Sequence, residues 1–199
     1  MGNYLSRWMA DLAAHICINY RLAIIGERFW SLRAEIVAPS DLLPEVQKLL
    51  NQGTIKKDVI AKIKEHSLLG EIFASALNNS NSSAAHIKEA IEESGRSVNY
   101  KLEKYLSILG TIAAVAPLLG LLGTVIGMVD LFSSFTSSGH DVAIFARGIS
   151  VALYNTATGI IVAVPAMIFY RYFRSRVEDL IFDMEQQAIK LIESMGVRK

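Results

Sequence analysis

An all-α fold that crosses a membrane more than once is what this sequence predicts, and three observations predict it. Residues 106–129 carry no charged side chain, and neither do residues 148–170. Each run is long enough to span the roughly 30 Å hydrocarbon core of a bilayer as a helix. Both runs mix Gly, Ala, Thr and Pro among the larger apolar residues, which suits helices that pack closely on other helices. Charge is also lopsided. Arg28, Arg33, Lys101, Lys104, Arg171, Arg174 and Arg176 lie on one side of the spans, whereas the loop Ser133–His140 between them has no Lys or Arg. The positive-inside rule then puts the soluble segment and the C-terminus in the cytoplasm and that loop outside.

Composition narrows the function. The chain has 199 residues, is 52% hydrophobic and carries a net charge of +1, with a mean hydropathy of +0.34. A nucleic-acid binder would show a basic face, so nucleic acid is not an expected partner. Cys17 is the only cysteine, and His15, His66, His86 and His140 form no ligand-spaced pair; no metal site is expected. No phosphate-binding loop, Gly-x-Ser-x-Gly elbow or Cys/His pair appears, so neither an enzyme nor a cofactor is expected. The start does not read as a signal peptide, because Asp11 and His15 interrupt the apolar stretch and Arg21 closes it.

The elements follow in order. Residues 1–30 hold a first candidate span, Trp8 to Phe29. Asp11, His15 and Asn19 recur every fourth residue there, so a helix puts them on one stripe. That stripe either faces a protein interior or marks an amphipathic helix lying on the membrane; Trp30 suits an interface anchor. Residues 31–104 read as a helical cytoplasmic domain. One helix opens at Ser40–Pro44 and closes at Gly53, Thr54 caps the next, and Ser67 caps Leu68–Leu77. A turn follows at Asn78–Ser83. From Ala84 no proline intervenes before Leu106, which predicts one long helix running into the second span, 105–135. A loop at 136–147 leads to the third span, 148–171. In residues 172–199, Val177, Leu180, Ile181, Met184, Ala188 and Leu191 repeat at helical spacing, an amphipathic helix leaving the membrane.

Small residues form two seams. Ala116, Gly120 and Thr124 are four apart, as are Gly123 and Gly127; on the third span the seam is Gly148, Ala152, Thr156, Gly159, Ala163 and Ala166. Such seams serve either packing within one chain or assembly of copies. Thr124, Asn155, Thr156 and Thr158 are the polar groups singled out in the spans. A threonine hydroxyl commonly bonds back to its own helix; the alternative is a hydrated lining for a proton or ion. The charge-free runs 106–129 and 148–170 hold no Asp, Glu, Lys, Arg or His, and Asp130 and Arg147 lie just beyond their outer ends, so a proton path needs a carboxylate from elsewhere.

Tyr105–Met128 closely resembles the second membrane helix of the MotA/TolQ/ExbB proton-channel family, and Gly148–Ala166 resembles its third. Glu27-Arg-Phe-Trp-Ser-Leu-Arg33, leading to Pro39 and Leu42-Leu-Pro44, looks like the junction after the family's first helix. The resemblance covers about residues 22 to 195, and Phe169–Arg174 is most like the ExbB branch. It implies an inner-membrane, multi-pass protein of three spans, assembled as a homopentamer around a central pore. Two copies of an ExbD-like partner, each with one helix and a membrane aspartate, would thread that pore. Proton flow would then pass energy through a TonB-type protein to outer-membrane receptors. Thr124 and Thr156 match the family's pore-facing threonines. Val151 stands where ExbB and TolQ relatives often carry glutamate, and Asn155, one turn on, is the residue expected to hydrate the site instead.

Within this class, a TolQ-like envelope system and a flagellar-type stator are alternatives. A passive membrane scaffold is the reading from another class. A solute transporter is disfavoured, because three spans show no inverted repeat.

Overall fold

The structure, a computed structural model, describes residues 19, 22–53, 55–133 and 142–196, and among these all regular structure is helical. The helices are α1 (22–31), α2 (Ala34–Val37), α3 (Leu42–Asn51), α4 (Lys57–His66), α5 (Leu68–Asn78), α6 (Ala84–Glu103), α7 (Leu106–Ser133) and α8 (Val142–Ser194). They divide between two compact units. One takes in the described residues up to Gly26 and Tyr105–Tyr172; the other takes in Glu27–Lys104 and Phe173–Lys199.

The second unit is built as a water-soluble helical domain is built. Gly53 closes α3 with a φ of 65°, the left-handed conformation glycine adopts without steric cost. Ser67 caps α5: its Oγ accepts from the Gly70 amide at 3.1 Å. Gly70 also makes the α4–α5 corner possible, since a Cβ there would sit 1.9 Å from the Ile63 carbonyl oxygen. Ser83 caps α6, accepting from the His86 amide at 3.4 Å. The core is assembled from Val37, Val46, Leu69, Phe73, Ile87 and Val98 with Phe173, Val177, Leu180, Met184 and Leu191. The last five fall at spacings of four, three, four and seven, so one stripe of the C-terminal part of α8 is buried.

Two helices are long and apolar enough to cross a membrane, Leu106–Ser133 and Phe145–Ser194; the first unit holds the former and the latter up to Tyr172. Each has a proline inside it, Pro117 in α7 and Pro165 in α8. Of the first candidate span, Asp11, His15 and Arg21 lie outside the described residues, while Asn19 is helical and exposed. The loop segment 134–141 also lies outside them.

Three sequence expectations need revision. The long helix expected from Ala84 is two helices: regular hydrogen bonding lapses at Lys104 and Tyr105, although Lys104 keeps helical dihedrals of −46° and −44°. Nearby, Arg28 Nη1 donates to the Leu102 carbonyl at 3.1 Å, a contact that no local pattern reveals. Helix α4 starts at Lys57, with Lys56 at its N-cap and no side-chain cap bond; Thr54 is outside the described residues. The third span begins six residues before Gly148, and it continues out into the C-terminal helix as the sequence implied, one helix of 53 residues. Gly148, Gly159 and Pro165 disfavour a helix in 142–194, and all three are accommodated in it.

Candidate functional site

Helices α7 and α8 meet along the two seams, inside one chain. The closest approach is between glycines. A Cβ on Gly159 would lie 2.6 Å from the Ala116 carbonyl oxygen and 3.1 Å from the Gly120 Cα. A Cβ on Gly120 would lie 2.9 Å from the Asn155 carbonyl oxygen and 3.1 Å from the Thr156 Cα. No side chain fits at either position without parting the backbones, which is what small residues provide in a membrane helix pair. Further along, a Cβ on Gly123 would be 3.0 Å from the Asn155 Cβ, whereas Gly127 has ordinary clearance of 3.4 Å from the Ala152 Cβ. Ala152, Ala163 and Ala166 are buried on the same face of α8.

Two contacts that sequence reasoning missed close this pairing at its ends. Leu131 lies over Gly148, and the Tyr170 ring lies over Gly110, where a Cβ would be 3.1 Å from it. Both are glycine-to-large-residue contacts, and the four-residue spacing of small residues does not encode them.

The polar site forms where the glycines let the helices close. Thr124 and Thr156, 32 residues apart in sequence, bring their hydroxyls into direct contact. Thr124 Oγ1 also lies 3.2 Å from the Gly120 carbonyl of its own helix and 3.2 Å from the Ala152 carbonyl of α8. Thr156 Oγ1 reaches the Gly120 carbonyl at 3.3 Å. Each hydroxyl has one proton to donate, so two protons are shared among these contacts. The chain of donors can run Thr124 to Thr156 to Gly120, or Thr156 to Thr124 to Ala152. Either way it ends on a backbone carbonyl, which accepts and passes nothing on. By contrast, Thr111 and Thr158 bond only back to Ser107 and Tyr154 of their own helices, each at 2.9 Å.

Asn155 is placed differently. It is exposed, its side chain lies along Gly123, and its amide hydrogen-bonds to no described residue. Val151, one turn earlier, is 48% exposed. Leaving an amide without partners in hydrocarbon costs about 4–8 kcal/mol on the alkane scale, so this surface meets water or another chain. Among the described residues, no group of His, Cys, Asp or Glu could hold a metal ion. The site therefore offers neutral hydrogen-bonding groups and no proton-binding group of its own.

Residues 64–186, which contain both spans and this site, match the MotA/TolQ/ExbB proton channel family. The chain is 34% identical over 162 residues to a putative biopolymer transport protein ExbB-like 3 of Synechocystis, covering 77% of this chain and 75% of that protein. It is 31% identical over 199 aligned positions to the biopolymer transport protein ExbB of Pseudomonas putida, covering 87% of this chain but 58% of that protein. It is also 42% identical over 82 residues to the Tol-Pal system protein TolQ of Pseudomonas aeruginosa, covering 41% of this chain and 36% of that one. With a family match that runs through both charge-free runs and relatives aligned over three quarters of the chain, this chain belongs to the MotA/TolQ/ExbB proton channel family.

Proposed function

We propose that the chain is an ExbB-like subunit that lines the pore of a proton-motive-force-driven energy transducer in the bacterial inner membrane. In this reading it has three spans, a cytoplasmic C-terminus and a homopentameric assembly. An ExbD-like one-helix partner supplies the membrane aspartate, and a TonB-like protein carries the energy to outer-membrane import. The carrying observation is the pairing of a protein-closed threonine contact with an unpartnered amide beside it, between charge-free runs 106–129 and 148–170. Thr124 and Thr156 hold the helix pair in register and present fixed hydroxyls. Asn155 orders water around a carboxylate that another chain brings. Each proton crossing releases about 2.3 kcal/mol per 100 mV, so several crossings are needed for any large conformational step.

The test is reconstitution. Liposomes holding this chain alone should carry no protons, and liposomes holding it with the aspartate-bearing partner should carry them. Thr156→Val keeps the shape and removes the hydroxyl. It should lower coupled activity about fivefold to tenfold, the worth of one hydrogen bond, while the oligomer persists. Val151→Glu should be tolerated or raise leak. Proton flux through the chain alone, or full activity in Thr156→Val, would overturn this mechanism.

A TolQ-like role in the cell envelope is the second reading, favoured by the 42% identity to a TolQ over 82 residues. Complementation separates the two. Restored import in a strain lacking ExbB supports the first, and restored envelope integrity in a strain lacking TolQ supports the second.

A further inference from the structure

The C-terminal part of α8 carries two apolar lines. One is the buried line that runs from Phe173 to Leu191. Phe182 and Ile189 lie on the opposite side of the helix and are 60% and 49% exposed. Phe182 is twelve positions past Tyr170, the end of the charge-free run, and charged side chains intervene. Twelve positions are about 18 Å of helix, which carries the ring past the headgroup layer of a bilayer. Lipid therefore does not cover it. Phe182 also stands between two carboxylates. Glu178, Phe182 and Glu185 fall at i, i+4 and i+7, one line on a helix, and all three are exposed. Arg174 Nε reaches Glu178 at 3.3 Å, whereas Glu185 has no ion pair among the described residues.

Helix α4 repeats this spacing with the opposite charge. Lys57, Ala61 and Lys64 also fall at i, i+4 and i+7, and all three are exposed. Neither lysine has an ion pair among the described residues, and Asp58 and Glu65 lie about a quarter turn away. We infer that the Glu178–Phe182–Glu185 line docks on the Lys57–Ala61–Lys64 line of a second copy of this chain. The Phe182 ring fits over Ala61, whose methyl leaves room for it, and the carboxylates meet the two ammonium groups. Ring burial supplies the attraction. The exposed ion pairs, weak singly, select partner and register. Both lines are exposed in the same chain, so they close between copies. Because two different patches meet, the contact is head to tail, the kind that closes a ring. It thus gives the proposed homopentamer a cytoplasmic contact, and it rests on that reading.

Carbodiimide coupling joins a carboxylate to an amine in direct contact, and it tests this on the full chain in nanodiscs. Unlabelled and isotope-labelled chains are mixed before assembly. Peptides of mixed isotope should join Lys57 or Lys64 to Glu178 or Glu185. Phe182→Ala should lower their yield at least fivefold. Glu178→Lys with Glu185→Lys should do the same, and adding Lys57→Glu with Lys64→Glu should restore coupling between the same positions. Links of one isotope only, failure of the charge exchange to restore them, or an intact oligomer without them would overturn the inference. Transfer of the α8 links to a basic segment of the one-helix partner, in nanodiscs that contain it, would overturn it as well. Native mass spectrometry keeps the two readings apart. An oligomer without these links sinks the docking alone, whereas a monomer sinks the assembly reading with it.

Discussion

In the unit formed by Glu27–Lys104 and Phe173–Lys199, most of the largest fully buried side chains are found, among them Phe73, Leu69, Ile87, Phe173 and Met184. In the unit that holds the spans, the balance shifts. Leu118, Leu119, Ile161 and Ile168 are more than half exposed, and the buried positions include Gly120, Ala113, Ala152, Ala163 and Ala166 beside Leu106, Leu109, Leu131 and Val162. One chain thus follows two rules. Where water is the alternative, large apolar groups go inside because transfer from water stabilises them. Where lipid is the alternative, their burial gains little. Helices then associate through close backbone approach and a few hydrogen bonds. The difference also says what each region tolerates: the first is sensitive to lost volume, the second to added volume.

The comparison can be broken or sharpened by mutation, and the largest effect is expected in the large-residue core. Phe73→Ala should destabilise its unit by about 3–5 kcal/mol, read as a lowered thermal midpoint of that unit in detergent. A loss under 1 kcal/mol would mean that this core is not the source of its stability. Gly159→Ala adds one methyl against the Ala116 carbonyl and should cost about 1–3 kcal/mol, drawing the Thr124 and Thr156 hydroxyls apart. A cysteine cross-link between positions 127 and 152, whose Cβ atoms would lie 3.4 Å apart, efficient in the parent and weak in the variant, would report it. Equal cross-linking would show that the glycine approach is dispensable. Glu71→Gln removes the ion pair with Lys101, whose Nζ lies 2.6 Å from the carboxylate. Lys101 is half exposed, so a change of about 0.2–1 kcal/mol, shrinking in high salt, is expected. A larger, salt-independent change would place this pair with the core. Smallest of all, Leu119→Ala on the outward face should leave the helix pair within about 0.5 kcal/mol of the parent. Dissociation of the oligomer by that change would identify Leu119 as a contact between copies.

Legibility in the sequence follows the range of the interaction. The spans were readable because absence of charge over twenty residues is a local property, and the seams because a helix repeats every three to four residues. Val177, Leu180, Met184, Ala188 and Leu191 were readable for the same reason, and all are buried. The Thr124–Thr156 contact was only half readable. Spacing put each threonine on its seam, but their register across the helix pair depends on Gly120 and Gly159. That depth of approach is a property of two helices together. The burial of Arg28 was not readable at all, since the Leu102 carbonyl that accepts from it is 74 positions away. In sequence Arg28 looks like a flanking cation, and only folding makes it an internal one. The Gly70 corner was hidden similarly: within α5 it resembles a weak helix residue, and its need appears only against the Ile63 carbonyl.

The threonine pair has a further consequence. Its donor chain can run in either direction with every heavy atom in place, so the site has two polarities of one geometry. Reversal exchanges which hydroxyl is the terminal donor, Thr156 to the Gly120 carbonyl or Thr124 to the Gly120 or Ala152 carbonyl. Diffraction is nearly blind to such a change, because only hydrogens move. O–H stretching bands in infrared spectra, compared with those of Thr124→Val and Thr156→Val, are where the two polarities become distinguishable.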